Sequence, residues 1–100
     1  MKESDLVKLS GKCEEVSQML KALSHPVRLK TLCALVESEK TVGELVEFTG
    51  VSQSGMSQFL SRLKSEGAVS CRREGTFFFY TLTDPKLKKL ISSIKEIFCK

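Results

Sequence analysis

The sequence predicts a mainly α-helical domain with one β-hairpin in its C-terminal third. Apolar residues recur at helical spacing along most of the chain, and the run AVSCRREGTFFFYTLT holds two β-prone segments on either side of a Glu-Gly turn. At 100 residues the chain has the size of one domain, so we expect a single domain over residues 1–100. A domain this small buries a modest share of its surface, which favours association with a second copy.

Three helices are predicted in the first half of the chain. The first has an apolar stripe within residues 13–23, and Gly11 either breaks it or marks its start. The second begins at Pro26 within SHP, where Ser24 or His25 can cap it. A short third helix follows Thr41, which stands three residues before Glu44, as in a capping box.

Two more helices flank the hairpin. The fourth begins after Ser52 and ends at Gly67, and the last opens with Asp84 and Pro85. The last helix carries a wide apolar stripe, made of Leu87, Leu90, Ile91, Ile94, Ile97 and Phe98. Two short helices joined by TGVS and followed by a hairpin are the pattern of a winged helix-turn-helix, in which the hairpin is the wing.

The fourth helix has one apolar and one polar face. Its apolar residues, which fall within roughly 60° of one another on a helical wheel, are Met56, Phe59, Leu60 and Leu63. The opposite side carries Ser54, Ser57, Gln58, Ser61 and Ser65. Short neutral side chains allow the helix to approach DNA closely. Gln can pair with adenine and Ser can donate to bases or phosphates, while Arg62 can reach a phosphate. We interpret this face as a DNA-reading surface, and an ordinary solvated face is the alternative.

The hairpin carries Arg72 and Arg73 just before its Glu-Gly turn. At this position the two cations would touch the sugar–phosphate backbone of DNA, or they would serve as a charged edge that blocks aggregation. In the following strand Phe77 and Phe79 alternate with Phe78 and Tyr80, so one pair should face the core and the other should cover what lies behind the sheet. We expect these rings to serve packing rather than base stacking.

Composition limits the classes of function. A net charge of +4 and a pI near 9.0 favour an acidic partner, nucleic acid or an anionic membrane. No apolar run spans a bilayer and the N-terminal residues lack a signal peptide, so we expect a cytoplasmic protein without a membrane partner. The four cysteines form no Cys-x-x-Cys pair, which argues against a zinc finger or disulfide scaffold. Paired acids and Gly-rich loops are missing, so we expect no enzyme and no cofactor.

The segments LKALSHPVRLKTLCALV and TVGELVEFTGVSQSGMSQFLSRLKSEGAVSCRREGTFFFYTL resemble the ArsR–SmtB family of bacterial repressors. The resemblance runs from about Met19 to Cys99. It implies a winged-helix homodimer, joined through the first and last helices, that binds a double-stranded, inverted-repeat operator and is released by an inducer. The DNA contacts that it implies are Gln53, Ser54, Ser57, Gln58 and Arg62 in the fourth helix and Arg72, Arg73 and Thr76 in the wing. The chain departs from the family at Phe59, where His is usual, and at Gly55, where Ala or Thr is common.

The resemblance also bears on what the protein senses. One family metal site uses a Cys-x-Cys pair in the third helix, which this chain lacks, and another uses Asp and His on the last helix, where Asp84 has no His to follow it. Cys33 and Cys99 resemble the pair of the HlyU/BigR-type thiol-switch subgroup. This resemblance implies a disulfide or polysulfide bridge formed by a small oxidant or sulfur species.

Other interpretations stay open. Cys33 could be ordinary core, Cys13 could be a resolving partner, and Cys71 could pack or sit exposed. A metal-responsive repressor with a cysteine site and a winged-helix module that does not bind DNA are the alternative functions.

Overall fold

The fold is mainly helical with a β-hairpin, as predicted. The computed structural model describes residues 1–99, and Lys100, the last residue of the predicted domain, lies outside them. The helices are α1 (Glu3–Ser10), α2 (Cys13–Leu23), α3 (Pro26–Glu37), α4 (Val42–Thr49), α5 (Gln53–Ser65) and α6 (Pro85–Phe98). The strands are β1 (Lys40–Thr41), β2 (Val69–Glu74) and β3 (Phe77–Leu82). The five predicted helices correspond to α2 to α6, and α1 is an additional helix that ends just before Gly11.

The three strands form one antiparallel sheet in the order β1-β3-β2. The hairpin register runs from Val69 opposite Leu82 to Glu74 opposite Phe77, and Gly75 closes the turn with a positive φ of 62°. β1 lies on the other edge of β3 and was not predicted, because two residues are too few to show an alternating pattern. It attaches the base of the wing to the connection between α3 and α4.

The core lies where α3, α4 and α5 meet. Leu32, Leu45, Met56 and Leu60 are all fully buried, so each of these helices contributes at least one side chain that water does not reach. The narrow apolar arc predicted for α5 is therefore confirmed, with Phe59 partly buried at its margin. Burial of this arc turns the opposite, polar side of α5 outward.

The turn between α4 and α5 depends on two glycines. Gly50 ends α4 with a φ of 77°, a left-handed conformation that costs glycine little. Ser52 then caps α5, its Oγ accepting the Gly55 N–H at 3.1 Å. A Cβ on residue 55 would lie 3.0 Å from that Oγ and 3.1 Å from Val51 Cγ1. The glycine that departs from the family pattern therefore leaves room for the cap.

The expectation that all four wing aromatics pack is wrong for the outer pair. Phe77 is 62% exposed and Phe78 is 48% exposed, whereas Phe79 and Tyr80 are half-buried. Both rings lie next to the hairpin turn, where residues 72–78 are all exposed. The chain is elongated, with extents of 52 × 31 × 20 Å.

Apolar side chains are also exposed on the terminal helices. Those of α1, α2 and α6, here called the terminal apolar residues, are Leu6, Val7, Leu9, Val16, Leu20, Ile97 and Phe98. In α6 the predicted stripe divides, because Leu87 and Ile91 reach the core while Ile97 and Phe98 face solvent. Within residues 1–99, none of the helices is long and apolar enough to cross a membrane.

Removal of the α4 cap tests the local account of the fold. Thr41 Oγ1 accepts the Glu44 N–H at 3.2 Å, and Glu44 Oε1 accepts the Thr41 N–H at 2.9 Å, so the predicted capping box is present. Thr41→Ala should lower the free energy of unfolding by about 1 kcal/mol in urea denaturation. Ser61→Ala, on the exposed face of α5, is the control and should change it by less than about 0.5 kcal/mol. Equal effects of the two substitutions would contradict the capping role.

Candidate nucleic-acid interface

The polar face of α5 is open to solvent. Gln53, Ser54 and Gln58 are exposed and Ser57 is half-buried. Among the residues that the structure describes, the α5 side chains with hydrogen bonds inside the protein are Ser54, Met56 and Ser65. The amides of Gln53 and Gln58 therefore keep both donor and acceptor for a partner, which is the requirement for pairing with base edges.

One flank of α5 forms a groove with the wing. Gln53 and Ser57 line it from the helix, and Thr76 and Phe77 line it from the hairpin. The structure thus brings Thr76 of the hairpin together with Gln53 and Ser57, two predicted contact residues of α5. Their groups are neutral and hydrogen-bonding, so this groove can receive a phosphate-bearing strand without a charge of either sign at its wall.

The other flank of α5 forms a basic groove that sequence reasoning missed. Gln58 and Arg62 line it together with His25 and Arg28 of the α3 N-terminal region. The Arg28 guanidinium carbon lies 5.8 Å from the centre of the Phe59 ring, a cation–π contact. Phe59, which stands where the family usually has His, therefore helps to hold Arg28 in this groove. One feature of the sequence could have indicated this groove. Arg28 lies in the first turn of α3, where the helix dipole disfavours a positive charge, so a cation at that position calls for another role.

Of the two predicted caps of α3, the structure has His25. Its Nδ1 accepts the Val27 N–H at 3.2 Å, which places the proton of the neutral ring on Nε2. Arg28 and Arg62 have no carboxylate within ion-pair distance in residues 1–99, so the positive charge of this groove is not compensated. The groove is chemically suited to an anion.

The two wing arginines differ in environment. Adjacent residues of a strand point to opposite faces, so Arg72 and Arg73 lie on different sides of the hairpin. Arg73 Nε donates to the Gly75 carbonyl at 3.0 Å, near the tip. Arg72 instead forms ion pairs with Glu39, at 2.6 Å, and Glu74, at 2.7 Å. The predicted pair therefore contains one uncompensated cation and one compensated cation.

The two cysteines implied by the resemblance lie on helices that pack against each other. Cys33 on α3 and Cys99 at the C-terminal cap of α6 are exposed free thiols, and α3 packs on α6. Partial burial raises the pKa of the Cys33 thiol, and the nearby charge of Cys99 raises it further. Cys33 is therefore not an ordinary core residue.

The other two cysteines lie elsewhere. The exposed Cys13 thiol donates to the Leu9 carbonyl at 3.2 Å, and the half-buried Cys71 lies opposite Tyr80 in the hairpin. Burial, and then the neighbouring Cys71, raise the pKa of Tyr80. In the described part of the chain, no group of three or more His, Cys, Asp or Glu side chains is arranged to hold a metal ion.

A helix-turn-helix with an outward polar second helix, followed by a hairpin beside it, defines a winged helix-turn-helix DNA-binding protein. Residues 25–70 match the family model described as bacterial regulatory protein, arsR family. The chain belongs to the ArsR family of bacterial regulators.

Curated relatives place the chain more closely. It is 43% identical over 91 residues to the biofilm growth-associated repressor of Xylella fastidiosa, covering 91% of this chain and 80% of that protein. It is 38% identical over 81 residues to the transcriptional activator HlyU of Vibrio cholerae, covering 81% and 75%. The expected relation to the HlyU/BigR-type subgroup is confirmed, and the proteins of this group are transcriptional regulators rather than enzymes.

Solved structures agree with the fold. The transcriptional repressor BigR of Xylella fastidiosa superposes with a TM-score of 0.84 at 42% identity, covering 100% of this chain and 99% of that chain. The homodimeric winged helix-turn-helix DNA-binding domain of Mb0332 from Mycobacterium bovis gives a TM-score of 0.71 at 28% identity, covering 97% and 86%. The winged helix-turn-helix prediction is confirmed.

The proximity of the two thiols predicts a change in reactivity. Cys99→Ser removes the thiol that raises the pKa of Cys33, so this pKa should fall and alkylation of Cys33 by iodoacetamide should accelerate at a given pH. The pH dependence of alkylation at Cys33, followed by peptide mass spectrometry, measures this shift. Cys13→Ser is the matched control and should leave the curve unchanged. Identical curves for Cys99→Ser and the native protein would show that the sulfurs are not close.

Proposed function

We propose that the protein is a dimeric repressor that binds operator DNA in the bacterial cytoplasm and is controlled by the thiols of Cys33 and Cys99. The observation that carries the DNA-binding part is the exposed, neutral face of α5 between the wing groove and the basic groove. Such a face can enter the major groove while the flanks meet the phosphate strands on either side.

The predicted contact residues take different roles in this proposal. Ser54 and Gln58 read base edges from the exposed face of α5, while Gln53, Ser57 and Thr76 follow one DNA strand in the wing groove. Arg62 and Arg73 are the phosphate contacts, because neither is compensated by a carboxylate in the described residues. Arg72 is proposed for a different role, argued in the next subsection.

Dimerisation is supported by the terminal apolar residues. Solvent exposure of seven large apolar side chains on α1, α2 and α6 is unfavourable for an isolated protomer, and a second copy would cover them. The neighbour Mb0332 is a homodimer. Two protomers related by two-fold symmetry would present two α5 helices to half-sites one helical turn apart. Repression follows when this operator overlaps the promoter, and the Xylella fastidiosa relative is a repressor.

The proposed switch joins the Cys33 and Cys99 sulfurs. Formation of the disulfide releases two protons and two electrons, which reduce hydrogen peroxide to water. With a polysulfide, one of its zero-valent sulfurs stays between the two cysteine sulfurs, while another takes the two electrons and two protons and leaves as hydrogen sulfide. Either bridge ties the end of α6 to α3 and shifts the proposed dimer contact, so the two α5 helices change their separation. A tenfold loss of affinity requires only about 1.4 kcal/mol.

Gln58→Ala tests base reading. Loss of a bidentate amide contact should weaken operator binding by roughly 1–3 kcal/mol and relax the preference over random DNA. Affinity is measured by fluorescence anisotropy against operator and random duplexes, with Gln18→Ala on α2 as the matched control. An unchanged ratio of the two affinities would exclude base reading by Gln58. Failure of the native protein to bind any duplex, with salt-insensitive binding to a protein partner, would favour an interaction module instead.

Oxidation tests the switch. Peroxide or polysulfide should reduce operator affinity and yield a tryptic peptide in which Cys33 and Cys99 are linked. The Cys33→Ser, Cys99→Ser variant should lose this response, and the Cys13→Ser, Cys71→Ser variant should keep it. If the first variant responds like the native protein, the switch lies elsewhere. A response of the reduced protein to zinc or arsenite that requires Cys33 would favour the metal-responsive alternative.

A further inference from the structure

The Arg72 side chain crosses the face of the three-stranded sheet. It starts on β2, its guanidinium carbon lies 4.5 Å from the centre of the Phe79 ring on β3, and its ends reach Glu39, the residue before β1. Nε donates to Glu39 Oε2 at 3.0 Å and Nη2 donates to Glu39 Oε1 at 2.6 Å, a bidentate pair. Nη1 donates to Glu74 Oε2 at 2.7 Å. We call this set of contacts the Arg72 strap.

We infer that Arg72 is a positioning residue that sets the orientation of the wing, and that it does not bind a DNA phosphate. The inference rests on the proposed DNA-binding function and assigns this residue a part in it that differs from the part implied by the family resemblance. Its evidence is that each of the three guanidinium nitrogens donates to a carboxylate, with an aromatic ring beneath the group.

The local charge argues against a phosphate contact. One guanidinium and two carboxylates give the strap a net charge of −1, and the two carboxylates raise the pKa of Arg72. A phosphate would meet only the remaining N–H groups of Arg72, and the two carboxylates that already hold this guanidinium would repel it. Arg73, on the opposite face of the hairpin, carries no such cost.

The geometry also shows what the strap holds. β1 has only two residues, so its backbone pairing with β3 is a short attachment for a hairpin that projects into solvent. The bidentate pair adds a second attachment, between β2 and the segment that follows α3. Since a planar guanidinium fixes direction as well as distance, the strap restricts the angle of the wing relative to α5. It also links the wing to the helix that carries Cys33.

The sign of one substitution separates the two roles. Glu39→Ala removes a negative charge close to the proposed DNA surface. If Arg72 bound a DNA phosphate, its release from Glu39 would free the guanidinium for that contact, and the affinity for operator DNA would rise. For a strap, the wing loses its orientation and affinity should fall by about two- to fivefold, the range for loss of one partly exposed ion pair. Glu37→Ala, which removes the same charge from the end of α3 without touching the strap, should not weaken binding.

Conservative replacement gives a second readout. Arg72→Lys keeps the charge but loses the bidentate geometry, so it should weaken binding as much as Arg72→Gln does. The dependence of affinity on salt should stay the same in both, whereas Arg73→Gln should reduce the slope by about one per protomer. Near-native affinity for Arg72→Lys, or a reduced salt slope for Arg72→Gln, would overturn the inference.

The strap can be tested without DNA. In the free protein, amide hydrogen exchange of β2 and β3 near the turn should be faster in Glu39→Ala than in the native chain or in Glu37→Ala. Unchanged exchange would overturn the strap even if DNA binding proved correct. Faster exchange in a protein that binds no duplex would keep the strap and overturn the proposed function.

Discussion

The structure depends on the burial of one narrow side of α5. Met56, Leu60 and Leu63 are buried in the core, and no rotation of the helix can bury them while also burying its serines and glutamines. The cap at Ser52 and the close turn at Gly55 fix where the helix starts. The polar face is therefore presented outward at a fixed position, with the wing on one flank and the α3 N-terminal region on the other.

Charge is distributed around this face in a way that fits its proposed use. The centre is neutral, so it can approach base edges closely, while the uncompensated cations Arg28 and Arg62 lie on the flank and Arg73 lies near the wing tip. The compensated cation Arg72 lies in the sheet, where a fixed direction matters more than free charge. The two cysteines of the proposed switch lie apart from the proposed reading face, because Cys33 is on α3 and Cys99 ends α6, which packs on α3.

Local pattern was sufficient for much of this structure. The helices from α2 onward, the capping box at Thr41, the hairpin turn and the two faces of α5 follow from spacing, caps and turn residues, which act within a few positions of the chain. What could not be predicted depends on contacts that are distant in sequence. Examples are the pairing of Arg72 with Glu39, 33 residues away, and the groove that Arg28 shares with Arg62. The exposure of Phe77 and Phe78 could not be predicted either. Alternation along a strand shows which residues share a face, but it does not show how far the neighbouring elements extend over that face.

Methylation interference on DNA selected by the native protein from random duplexes tests the central claim most directly, because it reports which groove α5 occupies. Methylation of guanine N7, in the major groove, should block binding in two symmetric segments about 10 base pairs apart. Interference limited to adenines in the minor groove, a single segment without a symmetric counterpart, or no enrichment of any sequence would contradict a pair of α5 helices reading DNA.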